Sequence, residues 1–172
     1  MMDQALADLI DRDAIRRIQE RYLRGVDRHD IAMIENIYWP EAQGEFGRWR
    51  GRAAELPAIA SDMLKSIYAN TSHMLGQCHV DLRGDTAVSE TYALASHHLP
   101  DRGPGKAITD LMWCRYIDRL EKRAGEWRVI HRTFIVDQIL RAAEAEACVM
   151  DFADYMHGIP GPEDASVVAF SR

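Results

Sequence analysis

Cysteine is scarce in this chain and badly placed for chemistry. Cys78, Cys114 and Cys148 are odd in number and form no CxxC pair, so neither a zinc knuckle nor a disulfide framework is indicated. Long apolar runs are also missing. No stretch approaches the roughly 18–20 residues that span a bilayer, so no membrane-spanning helix is expected. Basic charge is in deficit, with 21 Lys and Arg against 27 Asp and Glu and a net charge of −6. A sequence-independent hold on nucleic acid needs a basic footprint, and that class is set aside. The opening MMDQALADLIDRD lacks a basic region followed by an apolar one, so no secretory leader is expected and a reducing cytoplasm is the simplest compartment. Internal repeats and low-complexity tracts are absent.

What is present reads as one globular domain. The chain has 172 residues, 47% apolar and 28% charged, enough to bury a core without disulfides or metals. Residues 3–26 carry Leu6, Ile10, Ile15, Ile18, Tyr22 and Val26 at helical spacing, and Gly25 weakens the end of that helix. Asp30 reads as the N-cap of a short helix reaching about Tyr38, closed by Pro40. GEFGRWRG (44–51) reads as a short strand and turn. Residues 52–68 return to helix, with Leu56, Ile59, Met63, Leu64 and Ile67 as the apolar stripe.

From residue 71 the period changes to two. Strands are expected at 71–82, 86–98, about 107–120 and 127–140. Arg83-Gly84-Asp85 and Ala124-Gly125 supply turns, and PDRGPGK (100–106) supplies a loop. Helices first and hairpin-linked strands last predict an α+β fold with a largely antiparallel sheet. Strands this long in a short chain predict a strongly bent one. Residues 1–140 form the domain. Residues 141–172 form its tail, which opens on the helix-favouring AAEAEA and ends in the irregular GIPGPEDAS.

The run RDAIRRIQERYLRGVDRHDIAMIENIYWPEAQGEF (12–46), the pair of strands SHMLGQCHVDLRGDTAVSETYALASH (72–97) and the final GEWRVIHRTFIVDQ (125–138) resemble the SnoaL-like branch of the nuclear transport factor 2-like superfamily. The resemblance covers about residues 8–140. It implies a cone in which helices close over a curved sheet around a deep apolar pocket. Such folds include dehydratases, a dehydrochlorinase, ketosteroid isomerases and polyketide cyclases, and also the non-catalytic small β subunits of ring-hydroxylating dioxygenases. Fold alone therefore does not fix function. Self-association through the outer sheet face, as a homodimer or homotrimer, is what the resemblance implies about partners.

The same resemblance supplies candidate site residues. In dehydratase-like members a Tyr and an Asp five residues apart on the first helix face a His on the first long strand, and an Arg recurs on the last. Here Tyr22, Asp27, His73 and Arg132 stand in those places. Abstraction of a proton next to a carbonyl or a leaving group needs a base near neutral pKa, which an imidazole provides. A carboxylate on its other nitrogen fixes the tautomer. Tyr22 could hydrogen-bond a developing oxyanion, and Arg132 could neutralise substrate charge. No cofactor or metal is called for. The expected substrate is small and hydrophobic, polycyclic or steroid-like.

Blander readings stand beside each residue. Asp27 sits in a VDRHD turn that favours Asp in any case. Tyr22 fits the apolar stripe of its helix. Arg132 reads as half of a salt bridge before it reads as a pocket cation. His97 and His98 point to opposite faces, so only one can look inward. Met112 and Trp113 lie on opposite faces of their strand; both are candidates for lining the substrate pocket or an interface, with core packing the default for each. A structural subunit with a filled pocket, or a ligand-binding domain without an acid–base pair, are the competing functions. An inward-facing Asp27–His73 contact discriminates against both.

Overall fold

The computed structural model describes residues 3–99, 108–143 and 158–170. Helix α1 runs Gln4–Arg28 and is started by Asp3, whose side chain accepts the backbone N–H of Ala5. It ends at His29, which adopts a left-handed φ of 53° and returns its N–H to the carbonyls of Gly25 and Val26. Helix α2, Ile31–Glu35, follows at once, capped by Asp30 through the N–H of Met33. Gly25 has a packing reason as well as a helix penalty: a Cβ there would stand 2.6 Å from Ile34 Cγ1, so glycine is what lets α2 fold back onto α1.

Strands β1 (Tyr38–Phe46) and β2 (Trp49–Arg52) form a hairpin. Pro40 does not close a helix, as the sequence suggests. It lies inside β1, because α2 already stops at Glu35. A single 3₁₀ turn, Ala53–Glu55, leads into α3, Leu56–Ile67, with Pro57 in its first turn. Four long strands follow: β3 (Asn70–Arg83), β4 (Thr86–His98), β5 (Ile108–Arg123) and β6 (Glu126–Ala143). Arg141, Ala142 and Ala143 belong to β6, paired with Asp110, Thr109 and Ile108, so the tail does not begin as helix there. The loop expected at 100–106 and most of AAEAEA lie outside the described residues. A short helix, α4, spans Ala165–Phe170.

The six strands form one sheet in the order β2-β1-β6-β5-β4-β3. All neighbours are antiparallel except β1 and β6, which run parallel. Bulges interrupt the registers between Leu75 and Cys78, Trp113 and Cys114, and Arg119 and Leu120, and each bends its strand. On the concave side Ala87, Ala93, Cys114, Tyr116, Leu120, Trp127 and Val129 pack against Ile15, Ile18, Tyr22 and Leu23 of α1. Burial alternates cleanly along β4, odd positions inward, so one side of the sheet is core and the other is open. None of the described helices is long and apolar enough to cross a membrane.

Candidate active site

Asp27 lies in the last turn of α1, and the left-handed cap at His29 ends the helix just beyond it. Its carboxylate meets the start of β3. Oδ1 accepts the Thr71 hydroxyl at 3.0 Å and stands 2.6 Å from His73 Nδ1, while Oδ2 accepts the His73 backbone N–H at 2.8 Å. Thr71 and His73 are two apart and therefore share the concave face of β3. The His73 and Asp27 side chains are 5% and 11% exposed, so bulk water does not compete for the contact. A carboxylate is acceptor-only, so Nδ1 carries the proton and the Nε2 lone pair is left available. The backbone N–H and the hydroxyl hold the carboxylate while the carboxylate holds the ring.

A second imidazole stands beside the first. His97 is on the concave face of β4, opposite Thr71, and its ring centroid lies 5.4 Å from that of His73 and 4.7 Å from the Tyr68 ring. Both its ring nitrogens are buried without a hydrogen-bond partner among the described residues. Burial first, and His73 second, push its pKa down to about 4, so it is neutral at neutral pH. The sequence shows only that one of His97 and His98 looks inward. The sheet register decides that it is His97. Ala93 and Ala95 next to it on β4 are small and face the same way. Across β5, Asp110 is paired to Arg141 at 2.7 and 2.8 Å. A cavity of about 270 Å³, bordered by Leu23, Arg24, Asp27, His73 and Leu75, flanks the dyad between α1 and β3.

Arg132 is further down the cone and wholly buried. Asp118 grips it with two hydrogen bonds of 2.7 Å, and Gln19 Oε1 accepts from its Nη2 at 2.6 Å. The Gln19 amide in turn donates to Asp118 at 2.8 Å. The rings of Tyr22, Tyr116 and Tyr38 surround the guanidinium at 4.2, 4.8 and 5.6 Å. Burial, the largest single influence, would lower its pKa, but the charge and hydrogen bonds of Asp118 together with the neighbouring phenols outweigh it and the cation is held firmly charged. Burial likewise raises the phenols of Tyr22, Tyr38 and Tyr116. Tyr22 is thus part of an arginine cage. Among the described residues no hydrogen bond joins it to Asp27 or His73. Arg132 Nη1 and Tyr38 Oη are buried without a hydrogen-bond partner among the described residues.

Met112 points to the concave side and packs on the core. Trp113 corrects the expectation that it lines the pocket. It pairs with Leu94 and shares the outer sheet face with Tyr92 and Met74, 40% exposed. Alternation from the buried Cys114 leaves it no other side.

Residues 7–133 match the family model described as SnoaL-like domain. The chain belongs to that family. No relative among curated proteins matches it in sequence. Among solved structures it is similar to a hexachlorocyclohexane dehydrochlorinase, LinA type 2, at 20% identity, with 84% of this chain and 97% of that one covered and a TM-score of 0.73. A candidate scytalone dehydratase from Novosphingobium aromaticivorans matches at 15% identity over 91% of this chain and 95% of that one, TM-score 0.67. A candidate aromatic ring hydroxylase of the same organism matches at 18% identity over 78% and 94%, TM-score 0.66. At these identities the likeness is one of fold.

Proposed function

We propose that this SnoaL-like protein is a cofactor-independent acid–base enzyme, a dehydratase or isomerase-type lyase, acting on a small hydrophobic ring substrate. The observation that carries the reading is the 2.6 Å contact between the Asp27 carboxylate and His73 Nδ1 inside a largely buried site. His73 Nε2 takes the proton from a carbon next to a carbonyl or leaving group. Asp27 stabilises the imidazolium that forms and keeps the ring oriented. The charge left on the substrate spreads into its own unsaturation or leaves with the departing group.

His97 favours an oxygen at the reacting end. Two buried nitrogens without partners are unfavourable by roughly 1–3 kcal/mol each until something satisfies them. A hydroxyl or carbonyl oxygen accepts from an imidazole N–H, and a hydroxyl also donates to the bare nitrogen; a carbon-bound chlorine does neither well. The names of the structural neighbours span both chemistries, so the choice is testable. Hydroxylated and chlorinated ring compounds are incubated with the protein in deuterium oxide. Loss of water or deuterium uptake is expected on hydroxylated members, absent in His73→Ala, with His97→Phe eroding the preference about tenfold. A panel giving neither turnover nor exchange would sink the enzyme reading and leave that of a structural subunit.

We also propose a homodimer or homotrimer built on the outer sheet face. Met74, Tyr92, Trp113 and Leu140 expose 60, 42, 40 and 48% of their surface on that face, and large apolar side chains grouped in the open mark an interaction surface. Sedimentation velocity is expected to show an oligomer that Trp113→Glu converts to monomer. A wild-type monomer at micromolar concentration would refute it.

A further inference from the structure

Asp27 and His73 come from different elements, and among the described residues no backbone hydrogen bond joins α1 to β3. Near the far end of β3, Arg12 ties the helix to the strand by donating to the Val80 carbonyl. At the dyad end the Asp27 carboxylate itself bonds Thr71 and His73, and Gly158–Phe170 adds a second tie that reaches both halves. On the helix side, Arg28 Nε lies 3.2 Å from Asp164 Oδ1, Arg24 Nη1 donates to Ser166 Oγ at 3.3 Å, and Phe170 packs its ring 5.0 Å from the Arg24 guanidinium carbon. Arg24 and Arg28 flank Asp27, and Arg28 Nη1 donates to the Asp27 carbonyl at 3.2 Å. On the strand side, Asn70, three residues before His73, donates to the Gly158 carbonyl at 3.2 Å.

The segment is itself built around one carboxylate. Asp164, 5% exposed, accepts the N–H groups of Ile159 and Ser166 at 3.1 and 2.9 Å and the Ser166 hydroxyl at 2.5 Å, besides facing Arg28. These donors knot the stretch IPGPEDAS into a fixed loop. Gly161 gives that loop its turn at φ 99°, a conformation side chains resist. A pre-shaped loop with polar contacts to each half of a catalytic pair adds alignment that the pair's own hydrogen bonds do not supply.

We infer that the Gly158–Phe170 segment is a clamp holding Asp27 against His73, and that Asp164 is its positioning residue. The inference rests on the dyad reading above. Asp164 touches no substrate; it acts through Arg28 on the last turn of α1, while Gly158 acts through Asn70 on the start of β3. Removing the Asp164 carboxylate frees the loop, lets the helix end shift relative to the strand, and loosens the contact that fixes the His73 tautomer.

The test uses the full chain labelled with ¹⁵N and reads the ring-nitrogen shifts of His73, which report which nitrogen bears the proton and need no substrate. Wild type is expected in the Nδ1–H form by more than about tenfold. Asp164→Ala is expected to bring the two tautomers within about threefold of each other, at unchanged secondary structure. Asn70→Ala is expected to move the ratio the same way from the strand side. Leu120→Val, a core truncation near the β5–β6 turn, should lower thermal stability and leave the tautomer alone. Should Asp164→Ala not fold, Asp164→Asn keeps an acceptor for the backbone N–H groups, removes the charge facing Arg28, and is expected to give a smaller change in the same direction. A wild-type ring without Nδ1–H excess overturns the dyad and the clamp together. A wild-type excess that survives in the Asp164 variant overturns the clamp alone.

Discussion

Asp27→Asn is expected to lower kcat/KM by roughly 10³–10⁴ on whatever substrate the assay identifies, while the protein stays folded. The loss follows from the donor count. In the wild type three donors, the Thr71 hydroxyl, the His73 N–H and His73 Nδ1–H, converge on one carboxylate. An amide offers a single acceptor oxygen and two N–H groups. Either its NH2 takes the Oδ2 place and meets the His73 backbone N–H, donor against donor, or it takes the Oδ1 place and the ring must flip to its other tautomer. With Nε2 protonated, the nitrogen that faces substrate has no lone pair, and the imidazolium loses its counter-charge. Thermal melting should change by only a few degrees, because the amide still fills the space. A variant within about tenfold of wild-type kcat/KM would remove Asp27 from the mechanism. His73→Ala deletes the base outright, and a fall of roughly 10²–10⁴ is expected there.

The largest effect on stability belongs to Asp118→Ala. It leaves the Arg132 guanidinium, which is inaccessible to water, with Gln19 and tyrosine faces but no anion. Breaking a buried pair from one side costs about 3–5 kcal/mol, against a total stability of about 5–15 kcal/mol for a domain. For a chain of this length that corresponds to a fall of roughly 6–20 °C in Tm. The double variant Asp118→Leu/Arg132→Met should recover much of it, since an apolar pair leaves no stranded charge. Chemical denaturation of the three proteins decides. A loss under about 1 kcal/mol in the single variant would mean that water or a displaced side chain reaches Arg132.

Much of the fold could be read in the sequence because its signals are local. The apolar spacing along α1, the cap at Asp30, and the change to period two near residue 70 each depend on neighbours a few positions away. Turn residues 83–85 and 124–125 placed the hairpins for the same reason. Pro40 misled, because a proline usually ends a regular element; here it is tolerated inside β1 since the ladder is interrupted between Tyr38 and Gln43, where no partner needs its missing N–H. The site was harder. Tyr22, Asp27 and His73 came from likeness to a family, since nothing in the spacing of residues 46 apart says that they meet.

Strand alternation fixed which residues share a face, yet not which face is inside. Met112 and Trp113 were separated correctly, and His97 from His98, but their sides had to come from the sheet. The β5–β6 hairpin gives the physical reason. From its turn, Arg123 pairs with Glu126 and the register runs evenly to Leu120 opposite Val129; continued, it would set Asp118 opposite His131. One extra residue at the bulge sets Asp118 opposite Arg132 instead and makes the buried pair. The sequence by itself determined helix, strand and turn, the α+β order and the chemical types available. Tertiary structure decided register, face and partner, because those depend on bulges and on helix packing that join positions far apart in the chain.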